Sequence, residues 1–261
     1  MSGITLTTDF GLRDWFVGTM KGVIARLAPK ANVIDLTHEI PAGDVRAGAF
    51  ALAAGCRFFP RGTVHLAVVD PGVGSVRKAI AVQTADYLFV GPDNGVLSWA
   101  LLKEKVRAIR SLENETYFLP MVSQTFHGRD IFAPVAAHLS RGLNARRLGS
   151  ALDDFVRLPW AEPQKHDNCI TGEVVYIDGF GNAITNLDAA LPRGPAVCEV
   201  YGKRRWRCPL REFYQAAPAG KPCAVPGSSR FIEIAVNGGS AEKLLGLRRG
   251  TRIVLRPGRQ S

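Results

Sequence analysis

Short apolar segments alternate with helical patterns through the first 160 residues, and this alternation limits the chain to few folds. The apolar segments are rich in β-branched residues and as short as buried strands. They are ITLTTD (4–9), NVIDL (32–36), TVHLAVVD (63–70), KAIAVQT (78–84) and YLFVG (87–91). The helical patterns cover 14–28, 44–59, 94–104 and 129–142, the last interrupted by Pro134. This order predicts an α/β N-terminal domain with a mainly parallel sheet.

A polar, proline-bearing stretch ends the alternation and divides the chain. It predicts a linker over 161–168, between an N-terminal domain of residues 1–160 that carries the catalytic residues and a smaller domain of residues 169–261. Beyond the linker most pieces resemble strands, with one short helical pattern at 240–247. The strand-like pieces are 170–178, 182–187, 196–200, 231–236 and 251–255. We therefore expect an all-β, barrel-like second domain.

Composition narrows the class of protein. The mean hydropathy of +0.03, the lack of a long apolar run and the lack of a signal-peptide layout at the start lead us to expect a soluble, cytoplasmic protein. Five cysteines without a CxxC pair indicate neither a zinc site nor a disulfide framework. The formal charge is +10, and two runs, KRRWR (203–207) and RRGTRIVLRPGRQ (248–260), are strongly basic. Nucleic-acid binding stays a minor alternative, because no known nucleic-acid motif accompanies these runs.

Two aspartates follow predicted strands. Asp9 ends one apolar segment and Asp70 another, and ligands of open α/β sheets collect beyond the carboxyl ends of the strands. Each aspartate alone could instead cap a turn. Arg77 follows Asp70 across the glycine-containing stretch DPGVGSVR, and His127 lies in QTFHGRDIF just before a helical pattern. If these side chains converge, Arg77 keeps Asp70 ionised, and the set can orient and deprotonate a water molecule.

Phosphate and metal sites are not supported by the motifs. GVGS has neither the GxGxxG spacing nor the Gly-Lys-Ser/Thr ending of phosphate-binding loops. A metal site built from Asp9, Asp70, His127 and His138 lacks the HxxxH or HxD spacing that would support it. We therefore expect no metal.

The second domain contains the stretch YIDGFGNAITNL (176–187). Asp178, Phe180 and Asn182 share one tight turn there. Asp, Gly and Asn are usual in a hairpin turn, but a hairpin does not explain an exposed phenylalanine. A carboxylate for an ammonium group, a ring for stacking and an amide for an adenine edge would suit a small zwitterionic nucleoside.

These motifs resemble the S-adenosyl-L-methionine (SAM) hydrolases that form adenosine, also called SAM hydroxide adenosyltransferases, which are relatives of the fluorinases and chlorinases. The resemblance covers nearly the whole chain, through TTDFG, GDVRAGAFAL, VVDPGVGSVRKAIAV, VGPDNGVL, TFHGRDIFAPVAAHL, YIDGFGNAITNL and IEIAVNGGSA. It implies an α/β domain followed by a β domain, and a homotrimer with each ligand held between the first domain of one subunit and the second domain of its neighbour. It also implies hydrolysis of SAM to adenosine and L-methionine by an activated water or hydroxide at the ribose C5′, without a metal and with SAM as substrate, not cofactor.

The resemblance assigns site residues by motif. The catalytic set is Asp70, Arg77 and His127, and whether Asp70 or His127 accepts the proton stays open. The residues implied to bind substrate are Asp9, Asp14, Asp70, Asp178, Phe180, Asn182, Tyr214, Ser228, Glu233 and Val236, the last through its backbone. Family members often have glycine in place of Arg230, and the halogenating relatives have tryptophan in place of Gly43.

Two further activities remain as alternatives. One is a halide-using synthase of 5′-halo-adenosine with the same fold, although a halide needs neutral donors and no base. The other is a non-catalytic SAM- or adenosine-binding protein, which could dispense with His127 but would keep Asp9, Asp178 and Asn182.

Overall fold

A computed structural model describes residues 3–192 and 194–257 of the chain. The chain divides into two compact units, Met1–Pro159 and Trp160–Ser261. Each unit has its own hydrophobic core. Within the described residues, no helix is long and apolar enough to cross a membrane.

The first unit is built on a six-stranded sheet. Its strands are β1 (Ile4–Thr8), β2 (Val33–Thr37), β3 (Val64–Val68), β4 (Ala79–Thr84), β5 (Leu88–Pro92) and β6 (Val106–Ser111). They lie in the order β2-β1-β3-β5-β4-β6. The pairs of β1 with β2, β1 with β3 and β3 with β5 are parallel, whereas β4 is antiparallel to β5 and β6. The prediction of an α/β domain with a mainly parallel sheet is confirmed. The short β4–β5 connection permits only an antiparallel pair.

Helices cover this sheet. They are α1 (Phe16–Leu27), α2 (Val45–Gly55), α3 (Ser98–Leu101) and α4 (Ala133–Ser140). Helices α1 and α4 share one core with Leu6 and Leu66 of the sheet, and α2 packs against α3. The helix predicted over 94–104 is only four residues long, because turns occupy both of its ends. Pro134 does not interrupt α4. It lies in the first turn, where a missing N–H is tolerated, and a π-helical turn (Gly128–Phe132) precedes it.

The second unit is a nearly closed antiparallel barrel, as predicted. Its strands are β7 (Gln164–His166), β8 (Cys169–Ile177), β9 (Ala183–Asp188), β10 (Ala196–Tyr201), β11 (Arg205–Pro209), β12 (Pro222–Pro226), β13 (Phe231–Val236) and β14 (Arg252–Pro257), with helix α5 (Ala241–Leu245) before the last. The strand order is β11-β10-β14-β8-β9-β13-β12, with β7 paired to β8. A bridge between Leu210 and Ala224 brings the two ends of this order together. Strand β7 lies within the stretch 161–168 predicted as a linker.

Arg230 lies in the β12–β13 turn with a φ of 69°. Among the described residues it is the one non-glycine with a positive φ. A side chain in this left-handed region costs about 1–2 kcal/mol. A glycine at this position would carry no such strain.

We expect Arg230→Gly to be more stable than Arg230→Ala by about 1 kcal/mol, because both substitutions remove the arginine but only glycine relieves the backbone strain. Urea unfolding of the two variants measures the difference. Equal stabilities would show that the turn carries no such strain.

Candidate active site

Two carboxylates lie beyond the carboxyl ends of neighbouring parallel strands. Strands β1 and β3 are neighbours with Thr8 opposite Val68, so Asp9 and Asp70 follow adjacent strand ends. The backbone N–H of Gly43 donates to Asp9 Oδ2 at 2.8 Å. Burial raises the pKa of Asp9, the Gly43 hydrogen bond partly offsets that rise, and the negative charge of Asp70 adds to it. The Asp9 carboxylate is therefore near enough to Asp70 to be affected by its charge.

Arg77 holds Asp70 in a buried ion pair. The side chains are only 11% and 4% exposed. Arg77 Nε donates to Asp70 Oδ1 at 3.0 Å, and Nη2 donates to Oδ2. The guanidinium also lies over the Phe132 ring, 5.3 Å from its centre. This two-point contact fixes the carboxylate in direction as well as in charge.

His127 joins the cluster by a hydrogen bond with the same guanidinium, that of Arg77. Arg77 Nη2 lies 2.8 Å from His127 Nδ1. Because a guanidinium can only donate, Nδ1 must accept, and a neutral imidazole then carries its proton on Nε2. Burial lowers the pKa of His127 and the charge of Arg77 lowers it further, while Asp70 and Asp130 oppose the change. His127 is therefore neutral at pH 7, with an N–H directed away from Arg77.

The glycine-containing loop brings Arg77 back to Asp70. The N–H of Val73 donates to the Asp70 carbonyl at 3.2 Å, which closes a turn directly after the aspartate. Gly74 has a φ of 76°, and a Cβ there would lie 2.4 Å from the carbonyl oxygen of Gln124. Gln124 is three residues before His127. The loop thus packs on the segment that bears the histidine, and only glycine fits at this contact.

We expect Gly74→Ala to lower the free energy of unfolding by about 2 kcal/mol or more and to reduce activity, because the added methyl meets backbone at a positive φ. Gly72→Ala is the matched control in the same loop, since its Cβ would meet nothing nearer than Ser75 Oγ at 3.3 Å. Thermal unfolding of both variants measures the difference. Equal losses would contradict the role given to Gly74.

A second polar cluster lies in the barrel, at the turn between β8 and β9. Asp178 Oδ1 accepts the backbone N–H groups of Phe180 and Asn182 at 3.0 and 2.8 Å, and its Oδ2 accepts Asn182 Nδ2 at 3.1 Å. These bonds are those of a hairpin turn. Phe180, at the tip of this turn, is nevertheless 82% exposed. The hydrogen bonds of the turn do not require an aromatic ring there.

Glu233 of β13 adds a second carboxylate to this barrel cluster. It is 4% exposed and accepts the Tyr214 hydroxyl at 2.7 Å. Burial raises the pKa of Glu233, the Tyr214 bond lowers it, and the charge of Asp178 raises it. Two acids and a hydroxyl close together favour a bound cation such as an ammonium group.

The contacts that the structure shows do not connect the other predicted residues to either cluster. Asp14 is exposed before α1, and Ser228 is exposed in the β12–β13 turn. Val236 is buried at the end of β13, where its carbonyl accepts the Gly239 N–H at 3.1 Å. Their roles stay predictions. Over residues 3–192 and 194–257, no group of three or more His, Cys, Asp or Glu side chains is arranged to hold a metal ion.

Ser123 and Asp130, which lie on either side of His127, were not among the residues predicted from the sequence. Asp130 is completely buried, and it accepts hydrogen bonds from Ser123. The available signal was the acid three residues after the histidine in HGRD.

This fold and this site define a protein with an α/β domain and a β-barrel domain, whose candidate reactive groups include carboxylates beyond the carboxyl ends of parallel strands. Residues 4–149 match the model of the SAM hydroxide adenosyltransferase N-terminal domain, and residues 172–254 match that of the C-terminal domain. The chain belongs to the SAM hydroxide adenosyltransferase family.

Known proteins agree with this assignment. An (R)-S-adenosyl-L-methionine hydrolase from Salinispora tropica is 44% identical over 257 residues, which are 96% of each chain. A crystal structure of an uncharacterized conserved protein from Thermotoga maritima superposes with a TM-score of 0.90 at 38% identity, and covers 97% of this chain and 99% of that one. A fluorinase from Nocardia brasiliensis is more distant, at 25% identity over 70% of both chains. The resemblance seen in the sequence is confirmed.

Proposed function

We propose that this protein hydrolyses SAM to adenosine and L-methionine. The observation that carries the proposal is the Asp70–Arg77–His127 cluster beyond the carboxyl end of β3, in a chain 44% identical to a protein named as a SAM hydrolase. A carboxylate, a fixed cation and a neutral imidazole suit the activation of water.

The substrate explains why so few groups suffice. The oxygen of water attacks the ribose C5′, the C5′–S bond breaks, and its electron pair stays on sulfur as the neutral thioether of methionine. Such a leaving group needs neither an acid nor a Lewis acid, so we propose catalysis without a metal or cofactor. The site must instead hold the nucleophile in line and exclude bulk water.

Asp70 is the group that accepts the proton. His127 Nδ1 is occupied by Arg77, so its Nε2–H can only donate to the attacking water. Asp70 has about four lone-pair positions, of which Arg77 uses two, and so can still accept from that water. His127 orients the nucleophile, Asp70 takes its proton, and Arg77 stabilises the negative charge.

The remaining polar residues would hold the substrate. Asp9 suits the ribose hydroxyls, and the neighbouring acids Asp178 and Glu233 suit the methionine ammonium group. Asn182, Phe180 and Tyr214 suit the adenine ring and its edge. Asp14, Ser228 and the Val236 backbone are proposed to contribute further contacts to the same ligand.

The reaction products distinguish SAM hydrolysis from the two alternatives, a halide-using synthase and a non-catalytic binding protein. The purified protein is incubated with SAM, with and without chloride, and the products are separated by chromatography. We expect adenosine and methionine in equal amounts, unchanged by chloride and absent with Asp70→Ala. A 5′-halo-adenosine would instead identify a halide-using synthase, to which the buried carboxylate is ill suited. Binding of SAM without any product would identify a non-catalytic binding protein.

We further propose a cytoplasmic homotrimer in which each SAM is held by the first unit of one subunit and the second unit of its neighbour. Asp70→Ala and Asp178→Ala proteins should then each be inactive. When their subunits are mixed, up to about a quarter of the sites regain both intact clusters. Co-expression of the two variants and assay of the purified mixture measures this recovery. If each site lies within one subunit, mixing restores nothing.

A further inference from the structure

The carboxylate of Asp130 is held by four hydrogen bonds, and it does not belong to the cluster proposed to react. It is 0% exposed. Its Oδ2 accepts both the backbone N–H and the hydroxyl of Ser123 at 2.8 Å. Arg129 donates from Nε to Oδ1 at 2.6 Å and from Nη2 to Oδ2 at 3.1 Å. Four donors on one buried carboxylate give a rigid anchor.

These bonds close a loop around His127. Ser123 and Asp130 are its two ends, and the hydroxyl of Ser123 also accepts the Phe126 N–H at 3.1 Å. The Phe126 carbonyl in turn accepts the Asp130 N–H at 3.2 Å. The backbone on both sides of His127 is thus fixed by hydrogen bonds that involve Ser123 and Asp130.

The backbone after His127 is unusual as well. A π-helical turn runs from Gly128 to Phe132, and such turns are rare and concentrate at functional sites. The Arg129 guanidinium lies over the Phe126 ring at 5.2 Å while it holds Asp130. This turn therefore follows His127, which contacts Arg77, and is held by the hydrogen bonds to Asp130.

We propose that Asp130, with Ser123, is a positioning residue that holds His127 Nδ1 in place to accept from Arg77. This inference rests on the proposed function for its link to catalysis, but not for the placement of the imidazole. Burial alone would raise the pKa of Asp130, and the bonds from Arg129 and Ser123 bring it below its ordinary value, so the anchor stays charged.

Asp130→Asn tests the inference, since an amide cannot accept all four of these donors. We expect kcat to fall about 10- to 100-fold, because the imidazole moves from its place, while KM changes by less than about threefold. Independently of turnover, the ¹⁵N shift of His127 Nδ1 in ring-labelled protein should lose the signature of its bond from Arg77. His127→Gln identifies the resonance.

Glu199→Gln is the matched control for a merely structural effect. Glu199 is another nearly buried acid held by two arginines, Arg205 and Arg256, but it lies in the barrel on β10. The Glu199→Gln protein should be less stable than wild type but should keep the wild-type kcat. If Asp130→Asn does not fold, Ser123→Ala replaces it, with a kcat loss of about 3- to 10-fold that Ser123→Thr restores.

The results of these experiments distinguish the positioning role of Asp130 from the proposed hydrolysis of SAM. A folded Asp130→Asn protein with wild-type kcat and an unchanged Nδ1 shift overturns the inference. So does a Ser123→Ala protein that matches wild type in both. If wild-type protein forms no adenosine, the proposed function fails, and the ¹⁵N shift alone decides whether Asp130 positions His127.

Discussion

Replacing Asp70 by asparagine should lower kcat for adenosine formation by about 10²–10⁴-fold, the usual contribution of a positioned general base. The amide is nearly the same size and can still accept one bond from Arg77, but it cannot take a proton from water. The KM should change little, because the residues proposed to grip the ribose and the methionine end are unaltered. Single-turnover assays with saturating SAM measure the loss.

His127→Gln is the informative comparison for this result. An amide at 127 can accept from Arg77 and donate to water, so it keeps part of the orienting role that we assign to the imidazole. We therefore expect a smaller loss than in Asp70→Asn. The reverse order would mean that the histidine, not the aspartate, takes the proton.

Arg77→Met should produce the largest loss of stability, about 3–5 kcal/mol, because it leaves the Asp70 charge buried and unpaired. The Asp70 side chain is only 4% exposed, so bulk water compensates poorly for the lost guanidinium. Activity should be lost too, since nothing then directs the carboxylate or donates to His127 Nδ1. Urea unfolding and the adenosine assay measure the two effects.

The double variant Asp70→Asn with Arg77→Met separates these effects. Removal of both charges should recover more than half of the lost stability, because no unpaired charge remains in the interior. Activity should not return. A single Arg77→Met protein as stable as wild type would show that the ion pair is far more solvated than its burial indicates.

The patterns of the sequence predicted strands that have a continuous apolar run, such as β1 and β3, but missed β12, where only the three residues between two prolines are buried. Strands β1 and β3 are buried at every residue, and both were predicted. Strand β6 was missed because VRAIRS exposes residues at its start, and β11 was missed because its arginines alternate with buried positions. Half-exposed edge strands have no continuous apolar run by which to recognise them.

The site was predictable in part. Asp9 and Asp70 follow adjacent parallel strands, so their proximity follows from the topology. The turn that holds Asp178 and Asn182 was equally visible in its residues. The bond between Tyr214 and Glu233 was not, because it joins residues 19 apart through the barrel. Nor could spacing show that Arg77 meets His127 at Nδ1, which decides the role of each group.

Hydrolysis of SAM in ¹⁸O-labelled water tests the central claim most directly. Water activated by Asp70 attacks C5′, so the label should appear in the 5′-hydroxyl of adenosine and not in methionine. Mass spectrometry of the two separated products gives the answer in one experiment. Adenosine without label, or label in methionine, would contradict the account.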